Sequence, residues 1–193
     1  MDIEKEIEVK ILVSDYDFYE VCDMLGITSE TTFIIQTNNY YDTSTDFLKE
    51  KQIHLRSRVI EEQNSYQLTI KTPQKDGLIE INEKIDKKKL DYLNETGKLP
   101  LGELESFIGF IPDKLVLLAS LTTHRYQFDF DGGILFLDIN YYNGLQDYEI
   151  EFEGKSFEHC HWVLDNLMSE LELNFEYSTV SKRQRAISSL KKI

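Results

Sequence analysis

Residues 3–11 read Ile-Glu-Lys-Glu-Ile-Glu-Val-Lys-Ile, and this stretch decides which fold the chain is expected to adopt. Apolar side chains recur on odd positions such as Ile7 and Val9, whereas charged side chains recur on even positions such as Glu6 and Glu8. A repeat of two is typical of a β-strand, because successive side chains point to opposite faces of a sheet. The stretch therefore predicts a strand with one apolar face and one charged face.

Seven further strands are predicted from the same alternation and from enrichment in β-branched and aromatic residues. They cover residues 32–41, 52–61, 66–71, 78–85, 122–130, 134–140 and 148–153. Turn sequences separate several of these strands, namely Asn64-Ser65, Asp76-Gly77, Asp131-Gly132-Gly133 and Asn143-Gly144. Because such turns join neighbouring antiparallel strands, we expect a mainly antiparallel sheet of about eight strands.

Helical patterns occupy the remaining parts of the chain. A short helix is expected between Ser14, which can cap it, and Gly26, which can end it. Between residues 87 and 121 the pattern is also helical, and Pro112 marks the start of one helix there. Two more helices are predicted at 157–173 and in the basic stretch 178–193. The chain contains no linker, so residues 1–193 are interpreted as a single α+β domain whose sheet is large enough to close.

Composition excludes several classes of function. The chain has 193 residues, 41% of them hydrophobic, which suffices for a packed core and argues against disorder. Its net charge of −14 and pI near 4.7 repel nucleic acid and anionic membranes. The two cysteines form no disulfide framework, and the sequence contains neither a signal-like segment nor an apolar run long enough for a membrane span. A soluble, cytoplasmic protein is expected.

The charged faces of the predicted strands allow two interpretations. Charges of one sign share a strand face, as in the pair Arg56 and Arg58 and in the pair Glu149 and Glu151. In the first interpretation these faces are simply exposed to water, as in most half-buried antiparallel sheets. In the second, the sheet closes with its charged face inward. Carboxylates on facing strands would then hold a divalent cation, and basic side chains opposite them would hold a polyanion.

The stretch Glu6-Ile7-Glu8-Val9-Lys10 resembles the ExExK signature of the CYTH superfamily, also called triphosphate tunnel metalloenzymes. The similarity continues in order along nearly the whole chain. Asn39-Tyr40-Tyr41-Asp42-Thr43 followed by Leu55-Arg56-Ser57-Arg58 is similar to the YYDT and LRxR segments of the family. Further matches are Lys71, Glu80, Arg125, Asp138, Glu149-Ile150-Glu151 and Ser181-Lys182.

The resemblance implies an eight-stranded, mainly antiparallel closed β-barrel, the triphosphate tunnel, with helices packed outside it. It also implies Mg²⁺ or Mn²⁺ as cofactor and a small-molecule triphosphate as substrate. The side chains expected to bind triphosphate are Lys10, Arg56, Arg58, Lys71, Arg125 and Lys182. The side chains expected to bind metal are Glu6, Glu8, Glu80, Asp138, Glu149 and Glu151. Glu83 competes with Glu80 for its position, because a shift of one residue exchanges the two faces of the strand.

The implied reaction is hydrolysis, with water attacking the terminal phosphorus. Phosphoryl transfer requires mainly charge neutralisation and positioning, so no nucleophilic side chain is needed. Glu8 or Glu151 would orient and deprotonate the water, and Lys10 completes the expected catalytic set. In the basic C-terminal stretch, Lys182 and Arg185 are expected to face the tunnel.

Three activities remain open at this point. The first is hydrolysis of inorganic triphosphate, or of an organic triphosphate such as thiamine triphosphate or a nucleotide. The second is an adenylyl cyclase that makes cyclic AMP from ATP, and the third is a non-catalytic receptor for polyphosphate or nucleotides. The thiamine triphosphatases carry a Trp where this chain has His54, and Trp162 lies far away in the sequence. We therefore place inorganic triphosphate first and the cyclase second, with the oligomeric state left open.

Overall fold

The computed structural model of the protein describes residues 2–5, 7–74, 77–100, 102, 104 and 114–190. These residues form nine strands and five helices. The strands are β1 (Asp2–Lys5), β2 (Glu8–Val13), β3 (Ile34–Thr43), β4 (His54–Ile60), β5 (Ser65–Gln74), β6 (Gly77–Ile85), β7 (Leu115–Phe130), β8 (Gly133–Tyr142) and β9 (Leu145–Glu153). The helices are α1 (Asp15–Met24), α2 (Phe47–Glu50), α3 (Lys87–Thr96), α4 (Phe157–Glu170) and α5 (Lys182–Leu190).

The chain divides into two compact units. The first unit contains Met1–Glu6, Gln36–Leu121 and Ala186–Ile193, and the second contains Ile7–Ile35 and Thr122–Arg185. Strand β7 and helix α5 each begin in one unit and end in the other. None of the helices in the described parts of the chain is both long and apolar enough to cross a membrane.

In the first unit, strands are hydrogen-bonded in the order β1-β6-β5-β4-β3. One face of these strands is apolar and forms a core with α2 and α3, through buried residues such as Leu55, Ile70, Ile81 and Leu93. Charged side chains of β4 and β5 alternate with these positions, and Arg56 is therefore on the opposite face from Leu55. The apolar packing thus fixes which side chains project on the charged face.

In the second unit, the order is β7-β8-β9-β2, and the ladders between these strands are antiparallel. The core contains Val9 from β2, Leu137 from β8 and Ile150 from β9, all buried. Helices α1 and α4 cover this face with residues such as Phe18 and Leu164. Helix α1 begins as the sequence predicts, because the Ser14 hydroxyl accepts a hydrogen bond from the Asp17 amide at 3.1 Å.

The α+β class and the antiparallel sheet are confirmed. The predicted N-terminal strand is present as the two strands β1 and β2, and each of the other seven predicted strands has a counterpart, which explains nine strands in place of eight. Closure of the sheet into a barrel is not established by the strand pairing and stays a prediction, as does the single domain over residues 1–193.

The two-residue turn between β8 and β9 sets the register of this hairpin. Asn143 and Gly144 both have positive φ, 50° and 75°, as a type I′ turn requires. With this turn, Asp138 lies opposite Glu149, and Leu137 lies opposite Ile150. The turn therefore places acidic side chains on one face of the hairpin and apolar side chains on the other.

One predicted helix is wrong. The sequence between Pro112 and Leu121 was expected to be helical, but residues 115–121 begin the long strand β7, while Pro112 and Asp113 lie outside the described residues. Leu115, Ala119 and Leu121 are buried, whereas Leu117 is 57% exposed. The leucine-rich run fits a helical period and a strand period equally well, and pairing within the sheet decides between them.

A buried carboxylate organises the loop after β3. Asp42 is fully buried, and its Oδ1 accepts hydrogen bonds from the amides of Thr43 and Leu48, both at 2.7 Å. Its Oδ2 accepts a hydrogen bond from the amide of Lys49 at 3.0 Å. The amides of Leu48 and Lys49 belong to the first turn of α2, so Asp42 satisfies donors that a short helix leaves unpaired, and it also binds the amide at the end of β3. The Asp of the YYDT segment has a structural role in this protein.

We expect Asp42→Ala to lower the free energy of unfolding by about 2–4 kcal/mol, because it leaves buried amide donors without an acceptor. Asp42→Asn should lower the free energy of unfolding by less, since the side-chain carbonyl oxygen of Asn still accepts the hydrogen bonds made to Oδ1. Urea denaturation followed by circular dichroism measures the difference. Asp46→Asn is the control, because Asp46 is exposed, makes no cap hydrogen bond with its side chain and has a positive φ that Asn tolerates. Equal stability of Asp42→Ala and this control would contradict the assigned role.

Candidate functional site

Three buried carboxylates of the second unit form a compact group, which we call the carboxylate cluster. It consists of Asp138 on β8 and of Glu149 and Glu151 on β9. The relative exposures of the three residues are 0%, 0% and 6%, and one oxygen from each lies within 4.8 Å of the others. Asp138 and Glu149 are direct cross-strand partners, so the hairpin register alone brings them together.

Arg125 and Lys182 are two of the cations that compensate the charge of the carboxylate cluster. The guanidinium of Arg125 on β7 donates from Nε to Asp138 Oδ1 at 2.7 Å and from Nη2 to Asp138 Oδ2 at 2.6 Å. The ammonium of Lys182, in the first turn of α5, lies 3.0 Å from Asp138 Oδ2 and 2.9 Å from Glu151 Oε2, and it also contacts Glu149 Oε1. The ring of Phe136 lies 4.0 Å from the Arg125 guanidinium carbon and holds its plane in place. Lys182 thus touches every member of the cluster.

These ion pairs keep the buried groups charged. Burial alone would raise the pKa of Asp138 and Glu151, but Lys182 and Arg125 outweigh it, and both carboxyls have a pKa below the ordinary value. Burial would lower the pKa of Lys182, yet the carboxylates raise it well above its ordinary value. The site therefore contains ionised carboxylates and an ionised ammonium at neutral pH, which is the condition under which buried charges are tolerated.

Further charged side chains surround the carboxylate cluster. On β2, the ammonium of Lys10 lies 2.5 Å from Glu8 Oε1. Burial would lower the pKa of Lys10, but Glu8 and the cluster carboxylates raise it, so this side chain is a cation. Arg185 on α5 donates from Nε to Asp147 at 2.8 Å and from Nη1 to Glu149 Oε2 at 2.7 Å.

Asp147 is a member of the site that the sequence interpretation missed. It accepts hydrogen bonds from Arg185, from the Asn140 amide at 3.0 Å and from the Tyr142 hydroxyl at 2.6 Å. The signal was present, because Asp147 continues by two residues the acidic alternation of Glu149 and Glu151 on the same strand. The strand predicted from the sequence began at residue 148, so Asp147 lay outside it and was not considered as a site residue.

A separate group of charges lies on the first unit. Arg56 on β4 and Lys71 on β5 both pair with Glu80 on β6, at 3.0 Å and 2.8 Å. Arg58 donates from Nε to the Asn38 side-chain oxygen at 3.0 Å. We call Arg56, Arg58, Lys71 and Glu80 the basic cluster, because two of its cations pair with Glu80 and Arg58 lies two residues after Arg56 on the same face of β4. The Nε of Arg56 is buried and makes no hydrogen bond, so this donor is available to an anion.

Glu80, not Glu83, is the carboxylate that meets these cations. Glu83 accepts a hydrogen bond from the Leu104 amide at 3.0 Å and lies 3.7 Å from Lys89, on the opposite face of β6. Burial would raise the pKa of Glu80, but Arg56 and Lys71 lower it to about 2. The ambiguity between the two positions is therefore resolved in favour of Glu80.

The expected site residues thus fall into the two units. The second unit contains Glu8, Lys10, Arg125, Asp138, Glu149, Glu151 and Lys182, and the first contains Arg56, Arg58, Lys71 and Glu80. In the described parts of the chain, Asp138, Glu149 and Glu151 are the acidic side chains grouped closely enough to hold a metal ion. Glu8 and Glu80 each contact a lysine instead, and Glu6 lies outside the described residues.

His159, Cys160 and His161, in the first turns of α4, are packing residues of the second unit. Cys160 is buried in the core of the second unit. His159 Nε2 is hydrogen-bonded to the Asp131 carbonyl at 2.9 Å, and His161 packs edge-to-face against Tyr177. Both histidines are half-buried.

Comparison with known proteins agrees with this fold. The family model of the CYTH domain matches residues 4–187. The chain therefore belongs to the CYTH domain family, as the ExExK stretch and the ordered motifs indicate.

Individual relatives cover nearly the whole chain. "Putative triphosphatase YjbK" of Bacillus subtilis strain 168 is 28% identical over 177 residues, which are 90% of each chain. A crystal structure from Bacillus halodurans, described as a "putative adenylate cyclase", is 33% identical, with a TM-score of 0.85 over 96% of this chain and 98% of the other. A Hippeastrum protein described as "putative adenylyl cyclase HpAC1", with a dominant triphosphatase activity, is 25% identical, with a TM-score of 0.77 over 96% of each chain.

The carboxylate cluster fits a divalent metal ion by its chemistry. Mg²⁺ and Mn²⁺ prefer hard oxygen ligands, and all three side chains of the cluster supply them. The cluster also attracts positive charge in this structure, because Lys182 and Arg125 lie against its oxygens. The residues of this chain could therefore hold a divalent cation.

The depressed pKa of Glu80 predicts a contribution to stability that disappears in acid. A carboxyl whose pKa is lower in the folded state stabilises the fold above its unfolded pKa, near 4.5, and this contribution is lost as pH falls toward about 2. The pH-dependent part of the contribution of Glu80 to the free energy of unfolding is about 3 kcal/mol. We expect the difference in unfolding free energy between wild type and Glu80→Gln to shrink between pH 5 and pH 2.

Urea denaturation in EDTA at several pH values measures this difference. Glu95→Gln, which removes an exposed carboxylate from α3 of the same unit, is the control. A difference between wild type and Glu80→Gln that stays constant over this range would contradict the assigned ion pairs.

Proposed function

We propose that the protein is a metal-dependent triphosphatase. Its preferred substrate is inorganic triphosphate, followed by organic triphosphates such as thiamine triphosphate or a nucleotide. The observation that carries this proposal is the carboxylate cluster with Lys182 and Arg125 in direct contact with it. Such a site combines oxygen ligands for a metal with cations for phosphate. The relatives named for triphosphatase activity support the same reading.

The proposal assigns the metal to carboxylates. Asp138, Glu149 and Glu151 are the inner ligands, with Glu6, Glu8 and Glu80 as the further acidic members that the resemblance implies. When bound, Mg²⁺ or Mn²⁺ would neutralise phosphate charge and polarise the phosphorus–oxygen bond.

Phosphate binding is assigned to the basic side chains. In the second unit these are Lys10, Arg125 and Lys182, and in the first they are Arg56, Arg58 and Lys71. The unpaired Nε of Arg56 favours this assignment, because a phosphate oxygen would satisfy a buried donor. Arginine also offers two parallel donors to one phosphate group, which orients the group as well as attracting it.

Glu8 is the better candidate for the base that orients and deprotonates water. Its side chain is 21% exposed, whereas that of Glu151 is 8% exposed and contacts Lys182. A base must reach the water and must accept a proton, and Glu151 is held in its ionised form by its two cations. Lys10, next to Glu8, would stabilise charge that develops on the phosphate. Attack by water on the terminal phosphorus then breaks the anhydride bond and releases orthophosphate, pyrophosphate and a proton.

An adenylyl cyclase is the second candidate, because two similar structures carry that description. In this reaction the ribose 3′-oxygen attacks the α-phosphorus of ATP, and the products are cyclic AMP and pyrophosphate. A receptor that binds polyphosphate or nucleotides without catalysis is the third candidate. Glu8, whose partner Lys10 also interacts with Glu149 and Glu151, favours catalysis over simple binding.

Product analysis distinguishes these activities. The purified protein is incubated with tripolyphosphate, thiamine triphosphate or ATP in the presence of Mg²⁺ or Mn²⁺, and orthophosphate, pyrophosphate and cyclic AMP are quantified. We expect orthophosphate and pyrophosphate in equal amounts from tripolyphosphate, and no turnover after EDTA treatment. Cyclic AMP from ATP would overturn the hydrolase proposal, and binding without any product would favour the receptor.

We also expect Arg56→Ala to reduce kcat/KM for the preferred triphosphate by about 30- to 1000-fold, the effect of losing one preorganised electrostatic donor. Arg56→Lys should retain part of the activity, because it keeps the charge but loses the planar pair of donors. Lys49→Ala, which removes an exposed cation of the same unit, is the matched control. Unchanged turnover in Arg56→Ala would remove this residue from the proposed site.

A further inference from the structure

The position of Lys182 raises a question about how metal enters the carboxylate cluster. Its ammonium lies 3.0 Å from Asp138 and 2.9 Å from Glu151, and it also contacts Glu149. These are the same three side chains whose oxygens could hold a metal ion. The lysine side chain is 14% exposed, so its charge is largely shielded from solvent and interacts strongly with the cluster.

An ammonium and a divalent cation exclude each other at this position. Both need the same carboxylate oxygens, and two positive charges a few ångströms apart repel each other strongly at low dielectric. The carboxylates in turn cannot remain buried without a cation, because desolvation of an unpaired charge is strongly unfavourable. Arg125 and Arg185 pair with Asp138 and Glu149, and the remaining negative charge of the cluster is compensated by the ammonium or by the divalent cation, not by both.

We propose that Lys182 is a tethered counter-ion of the carboxylate cluster, which it neutralises in the absence of metal and leaves when a divalent metal binds. This inference rests on the proposed function, since it takes the cluster as the metal site. Metal alone then binds weakly, because it must first displace the ammonium. Once displaced, the ammonium is available to a phosphate oxygen, so the two roles of Lys182 are successive.

The surroundings of Lys182 allow this exchange without movement of the helix. Arg185, one turn later on α5, pairs with Asp147 and Glu149 and also donates to the Val180 carbonyl at 3.0 Å. The segment before the helix is attached to β2, where the Ser178 amide donates to the Lys10 carbonyl at 2.8 Å. These contacts anchor the start of α5, while the flexible four-carbon stem of lysine lets its ammonium move by rotation alone.

The competition can be measured with metal alone, without substrate and without turnover. Isothermal titration calorimetry with Mn²⁺ is performed on wild type, Lys182→Met and Lys182→Gln. We expect both variants to bind Mn²⁺ at least about tenfold more tightly than wild type, because the cluster no longer holds an ammonium that must be displaced. Lys155→Met is the control for general loss of a positive charge, because Lys155 is an exposed residue of the second unit.

A double variant locates the effect. Asp138→Asn combined with Lys182→Met should lose the gain in affinity if the gain arises at the cluster. Equal Mn²⁺ affinity of wild type and the Lys182 variants would overturn the counter-ion inference and leave the metal site of the proposed function intact. Absence of Mn²⁺ binding in all folded variants would overturn both.

A second measurement uses the unchanged chain, in case the Lys182 variants fail to fold. In a ¹H–¹⁵N spectrum of the lysine ammonium groups, the Lys182 signal is assigned in the unchanged chain from its nuclear Overhauser contacts with neighbouring side chains. We expect slow proton exchange for this group in EDTA, because it is held by buried carboxylates, and a shift or loss of the signal on addition of Mg²⁺. The Lys155 signal should not respond. A Lys182 signal that is unaffected by saturating Mg²⁺ would contradict the exchange.

Discussion

The burial of three carboxylates on one face of a sheet is the constraint that shapes the second unit. Asp138 and Glu149 are inaccessible to solvent, and such groups stay charged only when cations reach them. One cation comes from the neighbouring strand, as Arg125, and two come from the chain after residue 180, as Lys182 and Arg185. The path of the C-terminal segment past β2 thus follows from the need to compensate charge on β8 and β9.

The two units carry opposite excesses of charge at their polar faces. Around the carboxylate cluster, five carboxylates (Glu8, Asp138, Asp147, Glu149 and Glu151) meet four basic side chains (Lys10, Arg125, Lys182 and Arg185). In the basic cluster, Arg56 and Lys71 pair with Glu80, and Arg58 donates a hydrogen bond to Asn38. One unit is suited to attract a cation, and the other is suited to attract an anion. A net charge of −14 for the whole chain conceals this difference, because most of its acidic residues belong to neither group.

Local patterns in the sequence were sufficient to predict most of the strands and to predict which side chains lie on their charged faces. The alternation of charged and apolar residues placed Lys10, Arg56 and Asp138 on the strand face opposite to that of their apolar neighbours in sequence. The turns at Asp131 and Asn143 have positive φ, which explains why the turn sequences were informative. Between residues 115 and 121 local pattern failed, because a run of leucines has no distinct period and only pairing with the sheet decides its conformation. Contacts between distant parts of the chain, such as the contact of Lys182 with Asp138, could not be predicted from the sequence without the family resemblance.

The Asn143-Gly144 turn also limits how the protein can vary. The side-chain pattern of β8 and β9 has a period of two, so one inserted residue that shifted their register would turn Asp138 or Glu149 toward the apolar core. The length of this loop is therefore constrained by the register, and the loop is unsuitable for a peptide tag or for new chain termini. In this protein, the two-residue loop between β8 and β9 therefore sets the alignment of the acidic residues.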